Sequence, residues 1–159
     1  TGEIRFIRAL TDLPSSGILS KDGCESSIIK DLELKEMHRF YVCKHCGNLV
    51  GLIHSAGVPL VCCGEPMAEI IPNTTEAATE KHLPVVKQEA GSIKVEVGST
   101  LHPMTPEHLI QFVYLETNQG GQRKNLEEEP CTQFALAPGE KPIAVYAYCN
   151  LHGLWKTEL

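Results

Sequence analysis

No stretch of this 159-residue chain approaches the ~20 consecutive apolar residues that a membrane-spanning helix needs, and its start, TGEIRFIRAL, lacks the long apolar stretch of a signal peptide. A Lys/Arg-rich patch is missing too. With 14 basic against 20 acidic residues, a formal charge of -6 and an isoelectric point near 5.6, the surface is not suited to neutralising phosphate, so no nucleic acid is expected as a partner. There is no internal repeat, and no helical pattern interrupts the second half. These absences leave a soluble protein without membrane attachment, built as one ordinary domain or as a small module plus a domain of about 100 residues.

Cysteine, by contrast, is abundant and unevenly placed. Four of the seven cysteines arrive as VCKHCG and VCCGEPM. Adjacent Cys62 and Cys63 do not readily bridge each other, and a Cys-x-x-Cys pair in a chain without secretion signals points to metal or redox chemistry in a reducing cytoplasm. Cys24 and Cys131 read as ordinary thiols.

Along the chain, residues 1–38 carry no motif. SSIIKDLELKEM could begin a short helix capped by Ser26 or Ser27, and the segment reads as an extension of unknown role. From 39 the texture is Gly-punctuated and Cys-rich, with NLVGLIHSAGVPLV suggesting two short strands joined around Ser55 to Gly57. IPNTTEAATEKHLP has little to bury and reads as a linker, which places a boundary near residue 75. Residues 76–159 then hold a series of strands. SIKVEV alternates Ile93, Val95 and Val97 with charged residues, and LIQFVYLET, CTQFALA and IAVYAYC follow. Short strands between Gly/Pro/Asn turns predict an antiparallel sandwich or barrel, and in TPEHLI, Thr105 is placed to cap one helical turn leading to His108.

Cys43, Cys46, Cys62 and Cys63 have the spacing of a tetrahedral sulfur site, which suits zinc or a single iron; spacing alone does not choose between them. A second group lies in the strand half, where EKHLP, LHPM, PEHLI and CNLH put His82, His102, His108, Cys149 and His152 on loops or strand ends. Cys149 shares a strand face with Ile143, Val145 and Ala147, so its sulfur is expected inside. Four imidazoles and one thiolate suit a redox-active first-row ion with a sixth position open to substrate; copper is the competitor, although no Met follows the Cys and His as an axial ligand would. His38, His45 and His54 have no constellation, and Met104 reads as core.

Over roughly residues 40–156 these motifs resemble the desulfoferrodoxin family. Cys-x-x-Cys followed by Cys-Cys-Gly-Glu-Pro-Met is the pattern of its desulforedoxin-like module, and EKHLP, GSTLHPMTPEHLI and YCNLHGLW look like its superoxide reductase domain. The resemblance implies a mainly β protein: an N-terminal extension (1–38), a desulforedoxin-like Fe(Cys)4 module with linker (39–75), and an immunoglobulin-like antiparallel β-sandwich (76–159). It implies two iron ions per chain, one held by Cys43, Cys46, Cys62 and Cys63. The other would have His82, His102, His108 and His152 as equatorial ligands and Cys149 as the axial one. The implied activity is one-electron reduction of superoxide to hydrogen peroxide, with Lys81 drawing the anion in and helping deliver a proton, and Glu80 as a ligand of the oxidised ion. Rubredoxin or a similar carrier is implied as electron donor, and a homodimer as the assembly. A two-centre iron electron-transfer protein without substrate chemistry is the alternative, and a zinc-stabilised binding module a third.

Overall fold

The computed structural model describes residues 38–159. The helix start at Ser26 or Ser27, the thiol of Cys24 and all but the last residue of the extension lie outside the described residues. Within them the chain is almost wholly antiparallel β, as its strand-rich pattern implies. No helix among them is long and apolar enough to cross a membrane.

The Cys-rich part opens with β1 (Arg39–Val42), β2 (Leu49–Leu52), β3 (Val61–Cys62), β4 (Glu65–Pro66) and β5 (Ala68–Glu69). The two strands expected in NLVGLIHSAGVPLV both form, but they do not pair with each other. Instead β2 pairs with β1, β5 pairs with the other edge of β1, and β3 pairs with β4. The hairpin loop is therefore the Cys43–Asn48 knuckle, not Ser55 to Gly57. The reason lies in the intervening segment: Ile53 and Val58 are 93% and 72% exposed, so nothing there buries apolar surface that would draw β2 and β3 together.

A single helical turn, α1 (Thr79–His82), interrupts the stretch read as linker and leads into seven strands. These are β6 (Pro84–Glu89), β7 (Ser92–Val97), β8 (Ile110–Thr117), β9 (Gly120–Asn125), β10 (Cys131–Ala135), β11 (Pro142–Cys149) and β12 (Gly153–Glu158). They form one sheet in the order β10-β7-β6 and another in the order β12-β11-β8-β9. Alternation in β7 sends Ile93, Val95 and Val97 inward. There they meet Val113 and Leu115 of β8, Phe134 of β10, and Val145, Ala147 and Cys149 of β11 in a core between the sheets. Each such fully buried aliphatic side chain contributes about 1.5–3 kcal/mol.

The outer face of the four-stranded sheet is covered as well. Phe112, Ala144, Tyr146 and Leu154 pack with Phe40 of β1, flanked by Leu49, Ile70, Tyr114 and Tyr148. This second cluster explains why β8 and β11 read as nearly continuous apolar runs: both of their faces are buried. Tyr146 turns its hydroxyl onto Glu116, donating at 2.8 Å, so the buried carboxylate has a partner.

Candidate functional site

The first cysteine group is built by two tight turns. At the knuckle, the Cys43 N–H donates to Asn48 O and the Gly47 N–H to Cys43 O, both at 2.9 Å, with Gly47 in the left-handed region at φ +76. In the β3–β4 hairpin, Cys63 (φ +52) and Gly64 (φ +82) form a two-residue loop of the primed type. That turn explains how neighbouring cysteines serve one site. Successive strand residues face opposite ways, but the left-handed backbone at Cys63 swings its sulfur to 3.9 Å from that of Cys62.

Cys46 Sγ lies 3.6 Å from Cys62 Sγ, and all four sulfurs lie within 4.8 Å of one another. A tetrahedron with metal–sulfur bonds of about 2.3 Å has edges of about 3.8 Å, so the separations fit a single ion. The titration behaviour agrees. Backbone N–H groups of Cys46 and His45 pull the Cys43 thiol down to about 6, whereas the sulfurs of Cys46 and Cys43 push Cys63 up to about 12 and also raise Cys62. Four thiolates can coexist here only around a cation. The exposed His45 stands outside the group, paired with Glu65 at 3.0 Å, and His54 is exposed.

The second group sits at one end of the sandwich. His82 closes α1, and its ring is buried, stacked on Trp155 with centroids 4.8 Å apart. Nδ1 of His82 lies 2.8 Å from Ala78 O, and Nδ1 of His102 lies 2.6 Å from Pro103 O. A carbonyl can only accept, so both Nδ1 atoms carry the proton and both Nε2 atoms present lone pairs. Nε2 of His102 and Nε2 of His108 are buried with no hydrogen-bond partner among the described residues. His82 Nε2 lies 2.9 Å from His152 Nδ1; two adjacent nitrogens each about 2.1 Å from one ion at right angles would stand about 3.0 Å apart. Cys149 Sγ, wholly buried, approaches His152 Nδ1 at 3.5 Å. The five donor atoms lie within 4.8 Å of one another.

Orphaned, buried, aligned nitrogens cost free energy unless something occupies the space among them. Burial also lowers His82 and His108 and holds His102 down to about 4, so these imidazoles are neutral and free to ligate near pH 7. The described residues thus provide donor sets for two iron ions, one of four thiolates and one of four imidazoles and a thiolate.

All nine expected ligand residues are therefore gathered into two groups. Lys81 and Glu80 lie exposed on α1, next to His82 in the chain, and the Lys81 charge adds to burial and His152 in lowering His108. Cys149 points inward with Val145 and Ala147, but Ile143 is 43% exposed, because a register shift between Pro142 and Ala144 breaks the alternation. The helical turn expected at Thr105 is instead a two-residue turn. Thr105 and His108 exchange backbone hydrogen bonds at 3.0 Å, and the Thr105 hydroxyl accepts from the His108 N–H at 3.2 Å. Pro106 is compatible with either turn, and the pairing of Thr105 with His108 closes the shorter one. His38 meets the Tyr114 hydroxyl at 3.2 Å, Met104 packs against the core, and Cys131 lies 3.3 Å from a Glu129 oxygen, away from both sites.

Supporting groups were not legible as such. Trp155 braces two ligand residues, stacking on His82 and donating Nε1–H to His152 O at 3.2 Å. Gly98, at φ +85, lets β7 end against the Lys81 carbonyl, where a Cβ would stand 2.7 Å from the oxygen. An isolated Gly closing an alternating strand was the one available signal.

The family model described as Desulfoferrodoxin matches residues 74–158, and that described as Desulfoferrodoxin, N-terminal domain, matches 35–70. The chain is similar to the desulfoferrodoxin of Syntrophotalea carbinolica, 42% identical over 127 residues that cover 79% of this chain and 99% of that one. It is also similar to the superoxide reductase of Pyrococcus furiosus, 30% identical over 108 residues that cover 50% of this chain and 87% of that one. Among solved structures, the superoxide reductase from Treponema pallidum superposes with a TM-score of 0.66 at 38% identity, covering 77% of this chain and 99% of that one. With two ligand groups built by the motifs that both family models span, the chain belongs to the desulfoferrodoxin family.

Proposed function

We propose that the protein is a superoxide reductase, with residues 39–75 as an Fe(Cys)4 module and linker and residues 76–159 as the catalytic domain. The observation that carries this reading is the convergence of four imidazoles and one thiolate, with the Nε2 atoms of His102 and His108 buried and without hydrogen-bond partners among the described residues. Iron bound there supplies the single electron by which superoxide, taking up two protons, becomes hydrogen peroxide. Carbonyl-braced His82 and His102, with His108, His152 and Cys149, would hold the ion, and the Cys149 thiolate would raise the electron density on it.

Lys81 gives an acidic protein a local cation beside the site. Its exposed ammonium attracts superoxide against the overall charge of -6, and its N–H groups hold the water from which the substrate is protonated. Glu80 stands one residue further from His82 and is the carboxylate that would bind the oxidised ion. Re-reduction falls to an external one-electron donor such as rubredoxin, in the cytoplasm, and the assembly is a homodimer. The four-sulfur set leaves no open position and so holds an electron without substrate chemistry.

The test is to mix reduced holoprotein with pulse-generated superoxide, following the visible band of the His/Cys iron together with peroxide. Stoichiometric oxidation with one peroxide per iron is expected. Reduced iron that ignores superoxide while still exchanging electrons with a carrier would make the protein a two-centre electron-transfer protein instead.

A further inference from the structure

His108, half-buried, differs from the two buried imidazoles of its group. His82 and His102 are each fixed through Nδ1 by a backbone carbonyl, but among the described residues no such carbonyl bond braces the His108 ring, whose Nε2 is buried without a partner. Its aim comes from its backbone and from edge contacts with the His102 and His152 rings, at 4.4 and 4.9 Å between centroids. One side of that backbone is closed by Thr105. The other side is closed by a single residue from the opposite turn, Asn150, which sits between Cys149 and His152.

Asn150 grips the chain on both flanks of His108. Its Oδ1 accepts from the Leu109 N–H at 3.0 Å, its Nδ2 donates to Glu107 O at 3.0 Å, and its own N–H donates to Leu109 O at 3.2 Å. The amide orientation is fixed by chemistry, since an N–H can only donate and a carbonyl can only accept. Few side chains could replace it. Aspartate keeps the bond from Leu109 but sets a carboxylate against Glu107 O, serine reaches one partner at most, and alanine reaches neither.

We propose that Asn150 is a positioning residue that holds the His108 imidazole on the metal, coupling the Cys149–His152 turn to the Thr105–Leu109 turn. The inference rests on the reading that His108 ligates the iron of the second site. Through Asn150, three of the five ligands are carried by two turns clamped together, so Cys149, His152 and His108 hold their mutual spacing as a unit.

A double-mutant cycle on the anaerobic full-length iron(II) protein tests it, reading iron affinity by competition with a chelator and the visible band of the oxidised second site. Outer groups that fix a ligand typically contribute 10–100-fold to metal affinity. Asn150→Ala is expected to weaken iron binding by about that factor and shift the band, with Asn150→Asp intermediate. Asn150→Ala added to His108→Ala should then weaken binding no further, because the brace has lost what it braces. If the Asn150 effect is absent, or is equally large without His108, the positioning role is overturned. If His108→Ala itself leaves iron affinity unchanged, the ligand assignment fails, and the brace with it. Asn150→Asp serves the same cycle should the alanine variant not fold.

Discussion

Replacing Gly98 by alanine should damage the second site although residue 98 touches none of its ligand atoms. The backbone at Gly98 has φ +85, where alanine costs about 1–2 kcal/mol. The added Cβ would also stand 2.7 Å from the Lys81 carbonyl oxygen and 2.4 Å from that of Thr100, so backbone must retreat by about 0.7 Å at the first and about 1.0 Å at the second to restore ordinary contact at 3.4 Å. Two backbone bonds strap this loop to α1 and the residue that follows it, one from the Gly98 N–H to Leu83 O at 3.0 Å and one from the Thr100 N–H to Glu80 O at 3.2 Å. Stretched by that much they are lost, at about 1 kcal/mol each. A total near 3–4 kcal/mol corresponds to a melting temperature lower by about 10 °C for a chain of this size. Because the strap fixes His82 and Lys81 against His102, iron affinity at the second site should fall about 10–100-fold and superoxide reduction about 100-fold. Gly91→Ala is the control. Gly91 has φ +74 with nothing within 4 Å of the added Cβ, so it should cost the backbone term alone and leave iron untouched. Calorimetry, iron content and superoxide kinetics on the two variants decide the matter. If both lose equal stability and both keep their iron, the strap does not organise the site.

Lys81→Ala should slow the second-order reaction with superoxide by about fivefold at low salt, since unit charges 4 Å apart in water attract by about 1 kcal/mol; a rate and ionic-strength dependence matching the parent would remove the steering role. Cys43→Ser should abolish the visible spectrum of the first site alone, and loss of superoxide reduction in the same sample would mean that the four-sulfur site is needed for turnover or folding. Phe40→Ala, which empties the ring contacts to Tyr114 and Tyr146 at 5.5 Å, should cost about 3–5 kcal/mol in denaturant unfolding. In metal-free protein, burial holds the His102 imidazole down to about 4 against 6.5 for an ordinary one, so the unfolded chain binds the extra proton first. The stability that depends on neutral His102 is present above about pH 6.5 and drains away as pH falls toward 4, and a melting temperature flat over that window would contradict it.

How much of this was legible in the sequence depends on whether the signal was local. β7 announced itself because Ile93, Val95 and Val97 alternate with polar residues on a strand buried on one face. β9, GGQRKN, did not: it is an edge strand with almost no apolar side chain, formed because β8 offers it a hydrogen-bonding partner. The β2–β3 pairing failed for the converse reason, since two adequate strands found better partners in β1 and β4. At the sites, residue type and motif spacing pointed to all nine candidate ligands, because metal chemistry restricts which residues can serve. The bracing was hidden. That Ala78 and Pro103 carbonyls fix imidazole tautomers, or that Asn150 spans to Glu107 and Leu109, depends on contacts between segments distant in sequence, which no local pattern encodes.

The two donor sets also differ in how the fold exposes them, and the difference follows the chemistry proposed for each. Cys46 and Cys63 are exposed, so an ion held by the first group lies at the surface, where a partner protein can approach within electron-transfer range. Cys149, His82 and His102 are buried, and the charged groups beside them in sequence, Glu80 and Lys81, lie at the surface. The low-dielectric surroundings strengthen every charge aimed at such a site. One sheet serves both arrangements. β11 carries Cys149 on its inner face and packs Tyr146 against Phe40 on its outer face, so the strand that delivers this thiol also anchors the module bearing the other four. Damage to that packing should therefore be felt at both metals, whereas damage to either turn should be felt at one.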